Sequence, residues 1–305
     1  MNKYAQNILC MQSMFMGIGI SSLINNTHEF VLLSIIIGTL FGFILIKLFN
    51  FNTNNKYSTC LCSIVLLIIS LIVNVNMVSV MYLDNVPKFI LGLPIILLLI
   101  YLINKKDYTL FKLSNIILYI NLFLVISACI FLLPHIKLNN FFISNVNISN
   151  IIKSSIEYSI YSITPIVFID NKKHIYKSYI INSILILMII FSIYGILGYN
   201  LASIYRYPEY IVLKNISISS SIENLENIIS FHWIFNIFIL MSTCTYKLKK
   251  CINNNLIVSI ILLLILLFST LINQHFINIY FFYNNLVYIL SFILIIVFLT
   301  NKKTC

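Results

Sequence analysis

The chain has 305 residues, 60% of them apolar and 9% charged, with a mean hydropathy of +1.00 and a formal net charge of +11. That apolar share is more than a soluble core of this size can use, so the chain reads as one integral membrane domain with lipid covering part of its surface. The positive charge does not point to nucleic acid, because most of it lies in short loops where anionic lipid headgroups attract lysine. The seven cysteines are scattered, which argues against a disulfide framework or a zinc site.

Ten apolar stretches follow one another, near 6–25, 29–49, 59–82, 87–104, 114–134, 152–170, 178–200, 227–246, 255–273 and 278–300. Most are long enough, at about 1.5 Å per residue, to cross a hydrocarbon core of roughly 30 Å as helices. No small-residue cleavage site follows the first, which is therefore expected to stay as a span. The connecting segments alternate in lysine content. Fourteen cations fall on one side, among them Lys47, Lys105, Lys106, Lys172, Lys173, Lys177 and Lys250. Lys88, Lys137, Lys153, Arg206 and Lys214 fall on the other. The positive-inside bias then predicts ten spans with both termini in the cytoplasm.

The first span carries Gly17-Ile18-Gly19 at mid-depth, followed by Ser21 and Ser22. Two glycines so close weaken a helix by about 1 kcal/mol each and let a ligand approach the backbone. In the second span, Gly38-xxx-Gly42 permits close helix packing, read as packing inside the bundle. Asn74 and Asn76 in the third span point opposite ways on a helix, so at most one is expected at a site; Asn74 is taken as the candidate.

The sixth span holds Glu157, Tyr158, Tyr161 and the run Ser162-Ile163-Thr164-Pro165. Proline removes a backbone donor and frees a carbonyl, and neighbouring hydroxyls can bond to the groups left over. Glu157 is either a proton or cation relay, as intramembrane carboxylates often are, or an interfacial group reaching water.

Between spans seven and eight, 201–226 is the longest polar segment. Three tyrosines near Arg206 and an apolar run to Leu213 suit a helix lying in the interface or capping a vestibule, with a surface loop as the alternative. Ser219, Ser220 and Ser221 ahead of Glu223 and Glu226 resemble an N-terminal capping signal for span eight. There Trp233 and Asn236 share a helix face, and Trp233 is read either as a stacking residue or as an interfacial anchor.

Ten spans divide into five plus five, with repeats at about 1–134 and 152–300 inside a single transmembrane domain, 1–305. An odd number of spans per repeat inverts the second relative to the first, as in many secondary transporters, whose sites lie at broken helices in corresponding positions. Those positions are spans one and six, where Gly17, Gly19 and Pro165 fall. The predicted substrate-binding residues are Gly17, Ile18, Gly19, Ser21, Asn74, Tyr158, Tyr161, Ser162, Thr164, Pro165, Trp233 and Asn236, with Glu157 as the ion-coupling candidate. No HExxH or GxSxG is present, and Gly17-x-Gly19 lacks a third glycine, so no enzyme activity, catalytic residue, cofactor or metal is expected.

Several stretches resemble the permease-like B subunits of GerA-type spore germinant receptors, a branch of the amino acid–polyamine–organocation transporter superfamily. The best runs from Gly195-Ile196-Leu197-Gly198 through Tyr207-Pro208 and a short apolar helix to Leu225-Glu226-Asn227-Ile228-Ile229 and Trp233. Gly92-Leu93-Pro94, Leu133-Pro134, and Pro165 followed by Phe168 are also similar. Where the family often carries an acid after the span-six proline, this chain has Ile166, Val167, Phe168 and Ile169. The resemblance implies an all-α, LeuT-like 5+5 inverted repeat with helices 1 and 6 broken around a small-molecule site. It also implies an amino acid as ligand, A- and C-type receptor subunits as partners, and residence in a bacterial cytoplasmic or spore inner membrane. A working secondary transporter and a non-transporting scaffold subunit are the alternative readings.

Overall fold

The computed structural model describes residues 4–27, 30–48, 55–83, 85–105, 107–141, 147–169, 174–215, 225–275 and 279–302. Lys106, Lys172, Lys173, the serines 219–221 and Glu223 lie outside them, as does the side chain of Ile18. Among the described residues every regular element is helical. The α-helices are α1 (Tyr4–Ser13), α2 (Ile20–Thr27), α3 (Val31–Leu48), α4 (Lys56–Met81), α5 (Lys88–Ile103) and α6 (Asp107–Leu132). They continue as α7 (Ile148–Ile163), α8 (Ile175–Ile204), α9 (Pro208–Leu213), α10 (Leu225–Ile252), α11 (Asn255–His275) and α12 (Ile279–Lys302).

Each of the ten apolar stretches coincides with a helix or a broken helix. Among the described residues six helices are long and apolar enough to cross a bilayer, or seven when the bent pair α1–α2 counts as one span. The protein is thus a polytopic, all-helical membrane protein. The shortfall from ten has local causes. α5 has 16 residues, about 24 Å of helix. α7 also stops after 16, where Thr164–Phe168 tightens into a 3-10 turn around Pro165. α12 has 24 residues, and its described side chains begin at Asn285.

Burial sorts the helices into a centre and a shell. In the spanning windows of α4 and α10, 72% of residues are buried, against 33% for α3, α6 and α11. Every residue from Ala5 to Ser13 of α1 is buried, and so is the whole turn Thr164–Phe168. The shell helices instead show large apolar side chains outward, such as Leu40, Ile44, Phe123, Ile130, Leu264 and Phe292, which is the surface lipid requires.

The packing partners follow a pattern. α4 packs along α10, α5 along α11 and α3 against α8. α3 also packs on α7 as α8 does on α1, and α6 meets α1 as α12 meets α7. α11 meets α4 as α5 meets α10, and α6 meets α10 as α12 meets α4. Gly38 and Gly42 make the second-span contacts possible. A methyl on Gly38 would lie 2.7 Å from the Ser155 carbonyl of α7, and one on Gly42 would overlap the Tyr179 hydroxyl of α8. The GxxxG face therefore packs inside the bundle, where Tyr179 Oη donates to the Gly38 carbonyl at 3.2 Å.

Candidate functional site

The first span breaks where its glycines stand. α1 and α2 meet at 57° across a π-helical turn, Phe15–Gly19. Met16 is extended (φ −70°, ψ 126°) and Gly17 left-handed (φ 81°), a conformation that glycine adopts without the steric cost of a Cβ. Space also requires glycine, since a Cβ there would sit 3.0 Å from Met77 Sδ and 3.4 Å from Val73 Cγ1, both on α4. At Gly19 the crowding comes from the turn itself: a Cβ would lie 2.7 Å from the Met14 carbonyl. A side chain at Gly19 would therefore strain the break rather than fill an open cavity.

The break exposes a backbone donor, and the chain supplies the acceptor. The Gly17 N–H donates to Glu209 Oε1 at 3.1 Å. Glu209 is on α9, a six-residue helix that buries Pro208, Glu209, Val212 and Leu213 and packs against α2, α8 and α10. α9 is thus packed as a cap on the bundle. Tyr210 Oη donates to Asn227 Oδ1 at 2.8 Å and ties α9 to the start of α10. α9 lies outside the spans, and burial pushes the Glu209 carboxyl up to about 7, held back by backbone N–H groups of Glu209 itself and Gly17.

The sixth span supplies the opposing wall. Phe15 of the broken turn rests against the rings of Tyr158 and Tyr161, at centroid distances of 5.0 and 5.9 Å. Tyr158 Oη donates to Ser183 Oγ at 2.8 Å. The hydroxyls of Ser162 and Thr164 donate back to the Tyr158 and Ile160 carbonyls at 2.9 and 2.7 Å, so only their lone pairs are open to a ligand. Glu157 does not reach interfacial water. It is 3% exposed and accepts hydrogen bonds from Ser22 Oγ and, at 2.7 Å, from Asn26 Nδ2, both on α2. Ser21, one residue earlier, is half-buried.

Around this lies a set of buried carboxamides. Asn74 on α4, Asn182 on α8 and Asn236 on α10 are fully buried, and neither end of any of these side chains has a hydrogen-bond partner in the protein. Asn76 is buried as well, with its Nδ2 unpartnered, so α4 is enclosed on both sides. Such groups cost on the order of 1–3 kcal/mol each when left unpaired, and native proteins meet them with water or ligand. A second polar set ties α1 to its neighbours: Gln6 Nε2 donates to Thr243 Oγ1 on α10 at 2.9 Å, and Asn121 Nδ2 on α6 donates to Gln12 Oε1.

Of the predicted residues, Gly17, Gly19, Ser162, Thr164, Pro165, Tyr158 and Tyr161 belong to the two breaks and the rings between them. Asn74 and Asn236 stand on the two central helices. Trp233 is 2% exposed and lines a small pocket with Glu209 and His232, which removes the interfacial-anchor reading. Glu209, His232 and Asn182 were not singled out by sequence. A lone acid followed by an apolar run, and a histidine beside the single tryptophan, are the signals that could have marked the first two. No family model matches the chain, and no curated protein matches it.

Proposed function

We propose that this chain is a permease-like membrane subunit that binds a small polar nutrient, an amino acid, at the centre of a ten-helix bundle, and that it serves in a spore germinant receptor with A- and C-type partners. The observation that carries the reading is the pairing of helices. Numbered as spans, the packing contacts two–six and seven–one, five–one and ten–six, nine–three and four–eight, five–eight and ten–three are related by a shift of five. Span one is bent and enclosed, span six ends in an enclosed 3-10 turn at Pro165, and the two most buried continuous spans are three and eight. A LeuT-like inverted repeat predicts both relations. The surplus of lysines in alternate loops supports cytoplasmic termini and puts α9 on the outer face.

In this reading Glu209 holds the place of a ligand carboxylate. The Gly17 N–H, at a broken helix, suits an anion, and a free amino acid competes with the tethered carboxylate for it. The orphaned carboxamides of Asn74, Asn182 and Asn236 supply both donors and acceptors to a zwitterion or its water shell. Binding is tested by thermal shift of the purified protein with each of the standard L-amino acids, and transport by labelled uptake into proteoliposomes. A shift for one amino acid, lost in Asn236→Ala and Gly17→Val, with no accumulation, is the expected result. Concentrative uptake would convert the reading to a transporter, and no shift with any amino acid would overturn the ligand class.

A further inference from the structure

A pocket of about 30 Å³ lies between α6, α8, α9 and α10 and touches the Gly17 turn through Glu209. It has room for one or two water-sized groups. Most of its wall is apolar, from Val125, Leu132, Ile193 and Val212 among others, but Glu209 and His232 also line it, each 3% exposed. His232 Nδ1 lies against the Ile229 carbonyl, which can only accept, so in the neutral ring Nδ1 carries the hydrogen and Nε2 presents a lone pair. Nε2 is buried without a partner. Glu209 spends Oε1 on Gly17, and its Oε2 is likewise buried without a partner. Ser192, also in the wall, has its hydroxyl hydrogen within reach of the Met188 carbonyl at 3.1 Å and of Cys129 Sγ at 3.9 Å. Two unmet acceptors, one of them a carboxylate, thus line one small apolar space together with the Trp233 ring.

We infer that this pocket is a binding site for a small primary ammonium group, either the ammonium ion or the head of a short alkylamine. Such a group brings several N–H donors for Glu209 Oε2 and His232 Nε2. Its charge compensates the buried carboxylate, and the indole π-system adds attraction. A buried carboxylate without a counter-charge is more costly than one paired and hydrogen-bonded. Glu209 and Trp233 are common to this pocket and to the proposed nutrient site, but the probes are amines without a carboxylate and so have nothing to offer the Gly17 N–H.

Trp233 is the chain's single tryptophan, so intrinsic fluorescence reports this pocket directly. The full-length protein in detergent micelles, in amine-free phosphate buffer at about pH 8, where ammonium groups remain charged, is titrated at constant ionic strength. The salts are ammonium, methylammonium, tetramethylammonium and sodium chloride. A saturable change with ammonium and methylammonium, absent with tetramethylammonium and sodium, is the expected result. Saturation by ammonium alone assigns the pocket to the free ion, and saturation by methylammonium as well assigns it to an alkylamine head. Glu209→Gln should weaken the response at least about tenfold, the scale of one charge-assisted hydrogen bond. Ala128→Leu fills the pocket from α6 and should abolish the response in protein that still elutes as a single folded species. Equal responses to all four salts, no response in the unsubstituted protein, a response to pH alone, or a response surviving Ala128→Leu would each overturn the assignment.

Discussion

Glu209→Gln separates charge from shape at the cap of the bundle. The carboxamide keeps the size of the side chain and an oxygen to accept the Gly17 N–H, so the α1–α9 connection survives. What changes is titration. Burial raises the Glu209 carboxyl from its ordinary 4.5 to about 7 in the folded protein. Below 4.5 the group is neutral whether the chain is folded or not, and the fold keeps its full stability. Between 4.5 and about 7 the unfolded chain ionises while the folded one holds its proton, so stability falls as pH rises through that window. A displacement of this size amounts to about 3 kcal/mol once the pH is above the folded value. The glutamine variant has no such proton. In thermal unfolding followed through Trp233 fluorescence in amine-free buffer, the unsubstituted protein should lose on the order of 6–10 °C relative to the variant between the two ends of the window. All other carboxyls are common to both proteins and cancel in the difference. Parallel pH profiles would refute the argument, because they would mean that Glu209 is solvated or already paired with a cation.

Gly17→Ala should cost about 1–2 kcal/mol, since alanine at φ 81° is strained while the flexible Met77 side chain can give way at 3.0 Å; melting temperature against Gly19→Ala, which instead strikes the Met14 carbonyl, measures it. Cysteines placed singly at Lys105 and Lys177 should resist a membrane-impermeant maleimide in intact cells, while one at Lys214 should react; labelling of either of the first two reverses the assigned orientation.

The bend at Gly17 and the 3-10 turn at Pro165 were legible because their causes are local. Glycine at φ 81° and proline without an N–H act through their own backbone wherever they stand. Glu209 was not legible as a partner of Gly17, because the two are 192 residues apart and meet through one backbone N–H that can donate to any acceptor. Glu157 and Trp233 each had two readings by sequence, water-facing or enclosed. Helical register places a residue on a face but does not say what covers that face. α2 covers Glu157, and α6, α8 and α9 wall the pocket into which α10 brings Trp233. The seventh apolar stretch was expected to end near 200, two residues past Gly198. Instead the helix bends at Gly198 (φ 69°, ψ 171°) and continues to Ile204, because the following Tyr199–Ile204 returns to helical dihedrals.

That bend bears on how the chain is made. The carbonyls just before it are met from outside their own helix: Gly195 O receives the Lys137 N–H at 2.8 Å and Asn140 Nδ2 at 2.9 Å, and Ile196 O receives Asn140 Nδ2 at 3.2 Å. Residues 137–140 leave the ribosome before α8 does, so the partner for this bend is waiting when α8 inserts. The bend in the first span has the reverse timing. Its acceptor, Glu209, is synthesised 192 residues after Gly17, and until then the N–H at the centre of the nascent bundle has no carboxylate to meet it. The second half of the molecule can therefore settle onto the first as it emerges, whereas the first span reaches its final state only when α9 folds over it.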